Sequence, residues 1–349
     1  MIDFRYHLVS IVAVFLALAI GIVLGAAELQ GPAYNILNRT TGKLQTELDQ
    51  TRGQLATAQA QDGEGESYAQ AVEPAVLRDL LSGQRILIVT EPGAQSSVIS
   101  GISAAAIDAG ATITGQIALQ PKFFDTSDTT QDSLNQTNLD VAQSADLSLA
   151  SSGSYQQQAA QVIASEILVK SVKSATASGG STSPSSAATG TDQDTDAQTM
   201  LAAYATSGFL NTTGQPSTPA TLAVVVTPQT APSDGSADAL DEVLPPLVQE
   251  LAKMSAGTVV AGSSAASGAG SPIAVLRSNN VANQVSTVDD ADLASGQSVV
   301  IQALAIALSG GKAASYGFAD NGASAVAPSP APVPSSSSSA GTSAPKVKS

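Results

Sequence analysis

The chain has 349 residues, 29 acidic against 14 basic side chains, a formal net charge of −15, six tyrosines, six phenylalanines and no tryptophan. That charge repels phosphate backbones and anionic headgroups, and so few rings leave little for bases to stack on, which excludes a nucleic-acid binder. Zero cysteine excludes a disulfide framework and any thiolate metal site, without naming a compartment. The aliphatic content suffices for a sizeable core in one large or two small domains.

Residues 8–27, LVSIVAVFLALAIGIVLGAA, form an apolar run with no charge in it. About 20 residues at ~1.5 Å rise cover the ~30 Å hydrocarbon layer. The run reads as a single transmembrane anchor over 1–27. A cleavable signal peptide is the competing reading, because Gly25, Ala26 and Ala27 are small residues of the kind a peptidase cuts after, but the apolar run exceeds a signal core and Asp3 offsets Arg5 ahead of it. Arg5 precedes the run and Arg39 and Lys43 follow it, so positive charge leaves the sidedness open. Ala13, Ala17, Gly21 and Gly25 recur at every fourth position, one small-residue stripe suited to close approach of a second helix and hence to a membrane dimer face.

Leu37, Leu44, Leu48 and Leu55 follow at spacings of seven, four and seven, the seam of a short two-stranded coiled coil over 28–60. Together with the stripe this predicts a homodimer. Gly31-Pro32 is expected to restart the helix, and QDGEGE at 61–66 reads as a hinge within a linker and short helix over 61–82.

From 83 to 325 the pattern is α/β. RILIVT (85–90), bounded by Glu91-Pro92-Gly93, reads as a buried parallel strand, followed by a helix through Val98, Ile102 and Ile107 and a second strand at 111–120. The alternation resumes with strands at 222–227, 258–262 and 284–288 and helices at 240–254, from Ser271-Pro272, and at 299–308. A Rossmann-like parallel sheet covered on both faces is expected, with a mostly helical middle in which 155–173 is the clearest piece. Residues 174–199 and 326–349 hold almost nothing to bury and read as a disordered insertion and tail.

No glycine-rich phosphate fingerprint follows the first strand. The stretch GSSAASGAGS (262–271) reads as a flexible loop, and Gly310-Gly311-Lys312 lacks the rest of a phosphate-binding loop. Asp192, Asp194 and Asp196 mimic the opening of a calcium loop, but Ala197 and Ala203 stand where glycine and glutamate are needed. His7, the single histidine, lies ahead of the span, leaving no histidine base for a serine nucleophile, while a Ser-Lys or paired-carboxylate arrangement stays open. Glu91, Asp289 and Asp290 fall at strand ends, where open α/β sheets bind ligands, and are the candidate ligand-facing residues. No enzyme and no cofactor is expected.

The segments YHLVSIVAVFLALAIGIVLGAA, RILIVTEPGA, AGATITGQIALQPKFFD and VSTVDDADLASGQSVVIQALAIALSGGKAASYG together resemble the actinobacterial family named after the mycobacterial copper transporter MctB. The similarity spans most of the chain outside the low-complexity stretches. It implies a channel-forming cell-envelope protein of copper efflux and homeostasis, associated with the mycobacterial outer membrane, with the bulk of the chain extracytoplasmic. Some members resemble SteB-type envelope proteins, which implies instead a tethered dimeric scaffold for a cell-division or cell-wall partner. Copper enters only through this resemblance. Copper(I) prefers thiolate, thioether or imidazole, and Met1, Met200 and Met254 are scattered. The short strands interleaved with helices do not make a transmembrane barrel.

Overall fold

The structure, a computed structural model, describes residues 4–145, 147–149, 153–171, 190–229, 237–268 and 270–317. Two compact units divide it, Met1–Gly65 and Glu66–Ser349. Helix α1 (Phe4–Leu77) supplies the described part of the first unit and opens the second. It is helical through Gly31 and Pro32 and through 61–66, so the expected restart does not form. Each glycine costs a helix about 1 kcal/mol and a proline about 3, and cooperative propagation from long helical flanks carries the chain through.

The second unit is the expected α/β domain, with α2 (Ser96–Asp108), α3 (Asp128–Ser144), α4 (Tyr155–Ile167), α5 (Gly190–Thr206), α6 (Ala237–Met254), α7 (Pro272–Ser278) and α8 (Ala294–Leu308) around one sheet. Its strands are β1 (Arg85–Thr90), β2 (Thr112–Leu119), β3 (Leu210–Gly214), β4 (Leu222–Val226), β5 (Gly257–Ala261), β6 (Ser286–Val288) and β7 (Ser315–Tyr316), in the order β3-β2-β1-β4-β5-β6-β7. All pairs are parallel except β2 with β3. The sheet therefore grows in opposite directions from β1 and β4, the doubly wound arrangement of a Rossmann-like fold.

Every residue of β4 is fully buried, as a central strand covered on both faces requires. One face packs α2, α8, the end of α1 and the turn after it through Ile102, Leu304, Leu77 and Leu81. The other carries α3 to α7 through Leu134, Ile163, Tyr204, Leu247 and Leu276. Each such leucine or isoleucine contributes roughly 1.5–3 kcal/mol of burial.

Two elements depart from the sequence expectation. Helix α5 begins at Gly190, inside the insertion expected to be disordered over 174–199, because Ala197, Met200, Leu201 and Tyr204 form a buried stripe at helical spacing. The Tyr204 hydroxyl donates to Asn138 Oδ1 at 2.7 Å, and Asn138 Nδ2 donates to the Tyr155 carbonyl at 2.8 Å, tying α5 to α3 and α4. Asp192, Asp194 and Asp196 thus lie along a helix, which removes the loop a calcium site needs. Helix α4 stops at Ile167 rather than 173, where Leu168 bridges Ala220 beside the sheet. Residues 172–189 and 318–349, with the rest of the expected insertion and all of the expected tail, lie outside the described residues.

Candidate functional site

The C-terminal edge of the sheet gathers several buried polar residues, Glu91, Thr227, Ser263, Asp289 and Asp290 among them. Backbone N–H groups set its register: Glu91 donates to Val226, Thr227 to Ala261, Gly262 to Val288 and Asp289 to Tyr316, at 3.0, 2.9, 2.9 and 3.2 Å. Glu91, Thr227, Gly262 and Asp289 therefore stand in one row across β1, β4, β5 and β6. The order in which strands are added reverses between β1 and β4, which Glu91 and Thr227 directly follow, and this is the position at which open α/β sheets take ligands.

Glu91 is buried, and its Oε1 has no hydrogen-bond partner. Burial pushes its pKa up to about 8, so at neutral pH it is mostly a neutral carboxyl. Asp289 is differently placed. Its Oδ2 accepts from Arg277 Nη1 at 2.6 Å, both side chains being almost wholly enclosed, while Arg277 Nε donates to Thr287 Oγ1 at 2.9 Å and Nη2 to the Tyr316 carbonyl at 2.9 Å. Arg277 thus locks β6 to β7, and the Asp289 carboxylate is committed to it. A Cβ at Gly317, whose φ is +125°, would collide with the Asp289 carboxylate. Asp290 is buried with Oδ1 unpartnered, its pKa raised to about 6 by burial and then by neighbouring Asp289. Ser263 Oγ, also buried, has no partner either.

The three predicted strand-end residues share one edge of the sheet without converging. Glu91 and Asp289 are separated by three interstrand steps, about 14 Å. Among the described residues no three of His, Cys, Asp and Glu are grouped as a metal site would require. Among the described residues the edge offers carboxyl and hydroxyl oxygens whose nearby guanidinium, Arg277, is already paired with Asp289, an arrangement unsuited to phosphate.

The first unit carries the other predicted residues. Arg5–Gly25 is long and apolar enough to cross a membrane and is exposed throughout. Ala13, Ala17, Gly21 and Gly25 lie on that helix, and a Cβ built at Gly21 or Gly25 meets nothing within 4 Å. Leu37, Leu44, Leu48 and Leu55 are 62, 55, 51 and 56% exposed, an aliphatic row that a single copy leaves in solvent.

Three side chains carry no local sign of their role. Arg277 reads as the basic end of a short helix, and its lock depends on strands that follow it. Glu66 and Glu73, seven residues apart on α1, accept from the Ala294 N–H at 2.5 Å and the Ser298 hydroxyl at 3.0 Å at the start of α8. Only their heptad spacing, which places both on one helix face, hints at a shared target.

The profile of the family described as copper transport outer membrane protein, MctB, matches residues 1–328. The chain is 27% identical over 323 residues to the copper transporter MctB of Mycobacterium tuberculosis, covering 91% of this chain and 96% of that protein. It is 25% identical over 335 residues to the copper transporter MctB of Mycobacterium leprae, covering 94% of this chain and 100% of the relative. With an anchoring apolar helix, a doubly wound α/β domain and a match along nearly its whole length, the chain belongs to the MctB family.

Proposed function

We propose that the protein serves copper transport and homeostasis in the cell envelope, held at a membrane by the Arg5–Gly25 helix with its α/β domain on the extracytoplasmic side. The observation that carries this reading is the end-to-end family match, with relatives named copper transporters along more than nine tenths of the chain. On this reading the chain takes a share in an assembly rather than holding a copper site of its own. It has no cysteine and one histidine, and its two described methionines are apart, Met200 within α5 and Met254 at the end of α6. One span does not enclose a pore, so a channel would be built from several copies or with partners. The only histidine, His7, lies at the start of the Arg5–Gly25 segment of α1, which supports a non-enzymatic role.

The exposed leucine row favours a second reading, a tethered homodimeric scaffold for an envelope or cell-division partner with no transport of its own. A deletion strain complemented with the full chain separates the two. Copper sensitivity restored to wild-type tolerance by the chain supports the first. Unchanged copper tolerance with a cell-separation defect overturns the first and supports the second.

A further inference from the structure

We propose that residues 37–58 of α1 pair with a second copy of this chain as a parallel, in-register coiled coil whose direction is selected by Glu47 of one copy and Arg52 of the other. The inference rests on the reading of the chain as membrane-tethered, and names the partner of its exposed helix.

The leucine spacing fixes a heptad frame. Leu37 and Leu44 occupy d, Leu48 and Leu55 occupy a, and Thr41, Thr51 and Ala58 fill the remaining core positions between 37 and 58. All four leucines are more than half exposed in the single chain. Thr51, a polar residue at a core position, has its hydroxyl satisfied by the Glu47 carbonyl at 2.7 Å, so it can turn a methyl toward a partner without stranding a donor. Gly42 and Gly53 fall at b and f, on the outer side of the frame, and weaken the helix without interrupting the seam. Asp62 occupies the next a position, where two copies would press like charges together, so the seam closes at Ala58.

In the same frame Glu47 is g and Arg52 is the following e. A parallel two-stranded coil brings g of one helix beside the next e of the other, so each dimer gains two Glu47–Arg52 pairs related by the two-fold axis. Among the described residues of one chain Arg52 pairs with Asp49 alone, at 3.8 Å with both side chains mostly exposed, so it can turn to a partner. Turned antiparallel, g faces g and e faces e. Thr40, Glu47 and Gln54 would then meet one another, as would Asn38, Gln45 and Arg52, with no opposite charges brought together. The leucines provide the attraction, and the charges choose the direction.

The test uses full-length protein in native membranes without added copper. The chain has no cysteine of its own, so T41C and T51C each introduce one thiol at a core position. Under mild oxidation both variants give disulfide-linked dimers if the coil is parallel and in register. An antiparallel coil brings at most one of these positions against itself, so dimers from one variant only, or from neither, overturn the proposal. In the T51C background, Glu47→Arg or Arg52→Glu alone lowers the dimer yield on the order of tenfold, as two attractive pairs become repulsive. Co-expressed, the two variants recover the yield as mixed dimers. Yields unchanged by the charge variants, or no recovery on mixing, overturn the role of the pair. Copper tolerance measured on the same strains reports the functional reading separately, since dimers that form as described in a strain no more copper-tolerant than the deletion strain count against copper transport alone.

Discussion

Glu66 Oε1 accepts a hydrogen bond from the backbone N–H of Ala294 at 2.5 Å, so a side chain on α1 caps the first turn of α8 across 228 residues of sequence. The residue at the N-cap itself, Leu293, has no side-chain acceptor to offer. The first donors of a helix have no intrahelical partner, and an anion beside them is further favoured by the helix dipole. Glu73 adds a second tie through Ser298, and its carboxyl is held above the usual range by burial.

Glu66→Ala is expected to cost about 1 kcal/mol, in line with the loss of a cap, lowering Tm of the α/β unit by roughly 2–4 °C. Glu66→Gln retains an acceptor oxygen and should lose less. Calorimetry on the full chain checks both, and an alanine variant as stable as wild type would show that α8 needs no cap from α1.

Glu91 makes stability depend on pH in an unusual direction for a carboxyl. Its pKa is about 8 in the folded protein against an ordinary value of 4.5, so between those limits the folded state holds a proton that the unfolded chain has released. Its stabilising contribution is whole below pH 4.5 and is lost as pH rises toward 8, by up to about 1.4 kcal/mol per pH unit. Asp290, raised to about 6 from 3.8, adds a loss of the same sign across its own narrower window. Urea unfolding at pH 5, 6.5 and 8 should show stability falling, with Glu91→Gln flattening the slope and gaining most at pH 8. The same slope in the variant would mean that Glu91 is not enclosed as described.

Arg277 and Asp289 form a buried ion pair, and removing the guanidinium leaves a buried carboxylate whose charge is no longer compensated by it. Arg277→Met should cost ~3–5 kcal/mol, because the Asp289 carboxylate has no route to solvent and β7 loses the guanidinium bond to Tyr316. Adding Asp289→Asn to Arg277→Met should recover part of that loss. A double-mutant cycle with a coupling below about 0.5 kcal/mol would contradict a direct pairing.

How much of this was legible in the chain depends on how local each cause is. Strands β1 and β4, RILIVT and LAVVV, are continuous aliphatic runs between turn residues, and any sheet buried on both faces selects such runs. Strand β3, LNTTG, is an exposed edge with one buried residue, and β7 has two residues, so neither carries a period to detect. The α5 stripe was masked by the serine, threonine and glycine around it: four buried side chains decide the helix while composition averages over the whole stretch. The strand-end positions of Glu91, Asp289 and Asp290 followed from the βα alternation. The commitment of Asp289 to Arg277, like the Glu66 cap, arises only when distant segments meet, and no window of sequence contains both halves.

Gly21 and Gly25 permit a test in which folding and association are separable. A Cβ at either position meets nothing within 4 Å in the single chain, so isoleucine there disturbs no contact within the protein and keeps the span apolar. In a dimer the same substitution holds two helix backbones apart along the stripe that includes Ala13 and Ala17. Gly21→Ile with Gly25→Ile, placed in the T51C background, is therefore expected to leave membrane insertion and the melting of the α/β unit unchanged while lowering the disulfide-linked dimer yield several-fold, on the order of 1 kcal/mol of helix association. The leucine seam lies outside the span and remains intact, so some dimer should persist. A yield equal to that of the parent would assign association to the seam alone and leave the small-residue stripe without a part in it.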